Sequence, residues 1–311
     1  MFIAIALIVL FPFASPQAPP AQRIVAVSNV RLRSAPQATA EEIARLPLGT
    51  VVRELGASDD STWVRVQLPE GNAGWIFTSL THSYNERDAI TIQRQLIETR
   101  LAVERLSFSD GTDLLEFVTR VSPSRGAETA QFELFKLLAL ERSVRSIIGD
   151  DPKEPLHRAW IKSHEDKLAY SEPAGQWMVR AELYWDLEAK HRGTSIADQI
   201  AWEGANAGVP GECEGYIPCT FAVLEMTDGR YLELYPAGTH AAQAMEHIDY
   251  PLQEIARPDT HYTMDPGDNT QLHESIVKLS AIVERTSGPL KQGILARLKR
   301  IDQTYVEATK K

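Results

Sequence analysis

The chain has 311 residues, 43% of them hydrophobic and 24% charged, with 32 basic against 42 acidic side chains and a net charge of −10. This is the composition of an ordinary globular protein. The acidic balance disfavours nucleic acid and anionic surfaces as partners, because phosphate binding depends on basic clusters that are absent here.

The opening MFIAIALIVLFPFASPQAPPAQ carries no charged side chain, and Phe2 to Phe13 is apolar but for Pro12. As a helix that run would rise about 18 Å, short of the roughly 30 Å of a bilayer core. Residues 1–21 are therefore expected to be an export signal, placing the mature protein in the periplasm or outside the cell. An uncleaved N-terminus is the one membrane attachment the sequence suggests.

From Arg23 the pattern turns to short strands. RIVAVSNVRLRSAP, EEIARLPLGTVVRELGAS and STWVRVQLPEGNAGWIFTSLTH alternate apolar with polar positions and are separated by Asn, Gly, Pro and Asp. Residues 23–82 hold six Arg and six acidic residues, so the acidic excess lies beyond them. About sixty residues suit a five- or six-stranded barrel around one small core. Trp63, in a run with Val64 and Val66, is expected to fill that core. Arg31 and Arg33 share a strand face, with Glu41 or Glu42 as natural partners. Trp75 follows Gly74, where a missing side chain lets another backbone approach closely.

Four stretches in this order, Val30-Arg31-Leu32-Arg33-Ser34-Ala35-Pro36, Leu46-Pro47-Leu48-Gly49-Thr50-Val51-Val52, Trp63-Val64-Arg65-Val66 and Gly74-Trp75-Ile76, resemble the bacterial SH3-like domain. The resemblance implies an SH3-like barrel over residues 22–83 that binds a cell-envelope component, a peptidoglycan peptide or an envelope protein. Trp75, Arg31 and Arg33 are the ligand-binding candidates.

Residues 84–311 read as an all-α domain, giving a multidomain β + α chain. Asn85 can cap a helix with a stripe of Ala89, Ile92, Leu96 and Val103. A second is predicted from Ala127 to Ile148, with Leu134, Leu137, Leu138, Val144 and Ile148 inward and Gly149 as its stop. The last carries Ile294, Leu298 and Ile301. Two segments between these, at about 182–206 and 220–248, align at a spacing of 45 residues: Leu187 with Leu232, Gly193-Thr194 with Gly238-Thr239, and Ala197 with Ala242. Each reads as helix, Gly-Thr turn, helix. The second, with Tyr231-Leu232-Glu233-Leu234-Tyr235-Pro236, resembles tetratricopeptide-like hairpins, which implies a protein-binding scaffold.

GECEGYIPC, residues 211–219, contains both cysteines of the chain. In an exported protein they are expected to pair, since Gly215 and Pro218 favour a tight reversal and the spacing matches neither a zinc site nor a Cys-x-x-Cys couple. With those thiols bonded, no HExxH among the eight His and no G-x-S-x-G, no catalytic residue, metal or cofactor is expected. Glu212 and Glu214 are the acidic pair nearest an unusual backbone, and His240 and His247 could share a helix face. Trp177, Tyr184, Trp185 and Trp202 form an aromatic neighbourhood in the first hairpin, expected to be core packing. The reading is an exported, non-catalytic envelope-binding protein; a cell-wall hydrolase with an unfamiliar helical domain is the rival.

Overall fold

Backbone alternation organises the first part of the chain. The structure, a computed structural model, describes residues 21–121, 123, 126–257 and 262–307. Apart from Ala21, the expected leader lies outside them. Strands β1 (Gln22–Val25), β2 (Val30–Arg33), β3 (Glu42–Leu46), β4 (Val51–Ala57), β5 (Trp63–Gln67), β6 (Ala73–Phe77) and β7 (Thr81–Tyr84) form one antiparallel sheet in the order β3-β2-β6-β5-β4-β1-β7. Val30 and Leu32 are buried while Arg31 between them is exposed, and Val64 and Val66 flank an exposed Arg65 in the same way. Val25, Leu32, Leu46, Val52, Val66 and Ile76 close on one cluster. Strands from widely separated positions in the sheet feed that cluster, so the sheet curls around a single core in the SH3-like manner.

The sheet has seven strands rather than five or six. The extra one is β7, which pairs with β1 from Gln22↔Tyr84 to Val25↔Thr81. Strand β7 ends at Tyr84, one residue past the boundary expected after Ser83, and the division into compact units falls between Ala89 and Ile90.

The second unit is helical: α1 (Ala89–Leu101), α2 (Phe108–Arg120), α3 (Gly126–Val144), α4 (Pro155–Ser163), α5 (Ala181–His191), α6 (Ala197–Asn206), α7 (Ile217–Met226), α8 (Asp228–Leu234), α9 (Ala241–Ile255), α10 (Asn269–Arg285) and α11 (Lys291–Ile301). It also contains a two-stranded hairpin, β8 (Leu168–Ser171) paired with β9 (Gln176–Val179), so it is not purely helical. Asn85 caps a 3₁₀ turn before α1, accepting from the Arg87 N–H at 2.9 Å, and α1 stops short of Val103. Helix α3 ends at Val144. Ile147 takes the buried position, and Ile148, expected inward, is 84% exposed beside a single bridge to Gln176. Among the described residues no helix is long and apolar enough to cross a membrane.

Helices α5–α6 and α8–α9 form two hairpins, and α9 begins one residue earlier than the 45-residue spacing from α6 requires. Ala197 is buried at the start of α6, but Ala241, not Ala242, is buried at the start of α9. The two turns also differ. Gly193 adopts φ 87°, a left-handed conformation that favours glycine. Gly238 is needed for space: a Cβ there would lie 2.5 Å from the Tyr231 hydroxyl and 2.7 Å from Asp198 Oδ1.

Candidate functional site

Strand register brings the candidate residues of the β unit into one row. Trp75 on β6 is opposite Arg33 on β2 on one side and opposite Arg65 on β5 on the other; Glu42 lies beyond Arg33. Successive side chains alternate between faces, so this row points away from the core that Val64, Val66 and Ile76 fill. Gly74 makes the row possible. A Cβ at that position would lie 2.7 Å from the Arg33 carbonyl oxygen and 2.8 Å from Leu32 Cγ, so only glycine lets β2 approach β6 this closely.

Each candidate has a definite environment. Trp75 is half-buried, and its indole N–H has no hydrogen-bond partner among the described residues. Arg33 is half-buried and donates from Nη1 to the Ala40 carbonyl at 2.7 Å. Arg31, two residues along, is turned to Glu42 at 3.3 Å, and Glu42 also accepts from Arg45 at 2.7 Å. The hydrogen bond from Arg45 holds the Glu42 carboxyl below its ordinary value. Arg31 is thus an outer member of a charged pair and does not adjoin Trp75. Arg65 is exposed, has no acidic partner among the described residues, and is the cation the sequence reading missed. Its signal was present: Arg65 precedes Val66 in the strand that faces β6, and the β5–β6 register alone places it beside Trp75.

Trp63 occupies a different place from the one expected. It is buried, but the alternation that sends Val64 and Val66 inward puts Trp63 on the side of Arg65, where it stacks on Phe77 with ring centroids 3.9 Å apart. The loop before it is fixed by Asp60, which accepts from the Ser58 hydroxyl at 2.6 Å and the Thr62 hydroxyl and N–H at 2.8 and 3.0 Å. These bonds, Ser58's foremost, pull the Asp60 carboxyl down to about 2. Among the described residues the face therefore presents a half-open indole without a hydrogen-bond partner and a guanidinium without an acidic one, beside the Phe77 ring that covers buried Trp63. That set can hold an apolar surface beside a carboxylate or a peptide carbonyl.

In the helical unit, Cys213 and Cys219 lie at disulfide distance, Cα to Cα 5.4 Å. Their loop is anchored by Ile217 N donating to the Thr263 carbonyl and Thr263 N donating to that of Gly215, each at 3.0 Å. Glu212 and Glu214 are exposed loop carboxylates. Tyr184, Trp185 and Trp202 are buried, whereas Trp177 lies on β9 and donates to the Gly149 carbonyl at 3.1 Å. His240 and His247 do share a face: both stack on Trp202, with centroids at 4.5 and 5.6 Å. His247 also contacts Asp228 at 3.0 Å; burial pushes the Asp228 carboxyl up, and the imidazole opposes it.

Residues 28–82 match a family model described as the bacterial SH3 domain. No curated protein matches the chain, and no solved structure does.

Proposed function

We propose, from the bacterial SH3 domain at residues 28–82, that this is an exported, non-catalytic protein of the cell envelope. Its β unit binds a peptidoglycan peptide or an envelope protein, and its acidic helical unit is a scaffold. The observation that carries the reading is the Arg33–Trp75–Arg65 row on the outward side of the SH3-type sheet. Bacterial SH3 domains often bind cell-wall components, and stem peptides present carboxylates beside short apolar side chains. Arg65 matches the carboxylate and Trp75 the apolar part.

Retention of the full chain on purified sacculi tests this. Arg65 is exposed, so Arg65→Glu leaves the fold in place. A lost charge-assisted hydrogen bond of about 1.5–3 kcal/mol corresponds to roughly ten- to a hundred-fold weaker binding. Undiminished retention of both Arg65→Glu and Trp75→Ala would remove this face from the function. Release of soluble fragments from the sacculi over time would instead favour the hydrolase reading.

A further inference from the structure

The helical unit contains an open groove of about 1110 Å³ that the binding face of the β unit does not explain. Helix α3 forms its floor and α2 and α5 its walls; α4 closes one end. Gly111 of α2 packs against Ser143 of α3, Tyr184 of α5 donates to Glu141 of α3, and Lys190 of α5 pairs with Glu133 of α3. Both walls therefore run antiparallel to the floor. The groove extends along α2 from Phe108 to Arg120, about 18 Å at helical rise.

Its surface is divided by chemistry. Half-buried Leu115, Leu137, Leu183 and Trp160 line it, and Leu156 at its lip is 67% exposed. Of the groove's cations, Lys190 is neutralised by Glu133 at 2.6 Å and Arg120 pairs with Glu116 at 3.8 Å. Lys136, half-buried on the floor, and Lys167 have no acidic partner among the described residues. Asp186 is the groove's remaining carboxylate and is exposed. Lys136, a half-buried residue among leucines with no acidic partner among the described residues, carries a charge the fold itself does not match, in a chain whose net charge is −10.

We propose that this groove receives an amphipathic helix of a partner protein, with an apolar stripe on Leu115, Leu137, Leu183 and Trp160 and a carboxylate directed at Lys136. Two walls antiparallel to a helical floor leave the position of a further bundle helix open, and a helix with side chains is about 10–12 Å across. An apolar stripe at i, i+3, i+4 and i+7 would complete the cluster. Acidic positions flanking that stripe supply the missing counter-charge. The proposal concerns the helical unit alone and stands or falls independently of the sacculus-binding reading.

The test uses the full chain and a fluorescent peptide of roughly 14 residues, with Leu at i, i+3, i+4, i+7 and i+11 and Glu on both flanks. Saturable binding is expected, weakened at least about tenfold by Leu156→Asp and by Lys136→Glu, both with unchanged unfolding midpoints. A peptide carrying Lys for Glu should recover binding to Lys136→Glu. Absence of saturable binding up to about 1 mM, or equal binding of a scrambled peptide, would overturn the proposal. Two other results would also overturn it: self-association of the chain that Leu156→Asp abolishes, assigning the groove to a second copy, or dodecanoate binding lost in Lys136→Glu while the peptide does not bind.

Discussion

Tyr231 of α8 donates to Asp198 of α6 at 2.5 Å, so the two helical hairpins are joined by a phenol and a carboxylate. The other carboxylate oxygen of Asp198 accepts from Thr239 N at 2.8 Å, and Tyr235 donates to the fully buried Glu188 at 2.7 Å. Arg192 completes the second pair with two bonds at 2.9 and 2.7 Å. Gly238 lies directly against the first pair.

Replacing Tyr231 by Phe leaves Asp198 with fewer donors in a partly buried setting. The expected loss is about 1.5–3 kcal/mol, the usual worth of a hydrogen bond to a charged group. Gly238→Ala should cost a similar amount by pushing its methyl into the pair. Urea unfolding of the full chain measures both, and a change under about 0.5 kcal/mol in each would show that the pair does not hold the hairpins together.

Stability should fall in acid through the same groups. Burial is the largest influence on Asp198 and on Glu188 and pushes both carboxyls up. The bonds from Tyr231 and Thr239, and from Arg192 and Tyr235, outweigh it and leave both below their ordinary values. A depressed folded-state value contributes stability that is fully present above the unfolded value, near 4, and is lost as pH falls through the folded one. Melting curves from pH 6 downward should therefore show Asp198→Asn and Glu188→Gln less stable than the parent at pH 6, with the gap closing below about pH 4. A gap that stays constant with pH would contradict the assignment.

Cys213 and Cys219 are six apart in sequence. The chain-entropy model gives about 2.4 kcal/mol for a closed loop of this size. Thiol labelling of protein recovered from the envelope should find neither cysteine free, and reductant should lower the unfolding midpoint without abolishing the fold. Full labelling of both in native material would contradict the paired state and weaken the argument for export.

Gly74→Ala should separate β2 from β6, because its methyl would meet the Arg33 backbone. Overpacking of this kind costs about 1–3 kcal/mol. Sacculus binding should weaken together with stability, whereas Arg65→Glu should weaken binding alone. A Gly74→Ala variant as stable as the parent would show that β2 can retreat without consequence.

The β unit was legible because its information is local: period-two alternation and Gly-Asn-Pro punctuation mark each strand, and four motifs recur in family order. Face assignment was harder. Trp63 reads as core beside Val64 and Val66, but neighbours on a strand point to opposite sides, and only the register with Phe77 shows where its burial arises. The place of Arg65 is hidden for the same reason, since it depends on which strand lies opposite. In the helical unit, the spacing of Ile294, Leu298 and Ile301 marks one helix face, and all three are fully buried. The β8–β9 hairpin was hidden by its brevity, four residues per strand, and by Trp177 and Met178, which suit helix packing equally well. Gly238 reads as a turn residue in the sequence; the reason for it, a hydrogen bond passing where its side chain would be, comes from two distant positions.

Arg33, Trp75 and Arg65 are contributed by three strands, and one of them is brought alongside only through Gly74. A molecule that grips all three can do so only on the closed sheet, so it acts as a thermodynamic brace for the unit it binds. At a hundredfold excess over its Kd such a ligand adds about 2.7 kcal/mol to the resistance to unfolding. The small barrel thereby becomes its own assay: cell-wall fragments can be ranked by how far each delays melting or protease digestion, before any of them has been identified as the natural target.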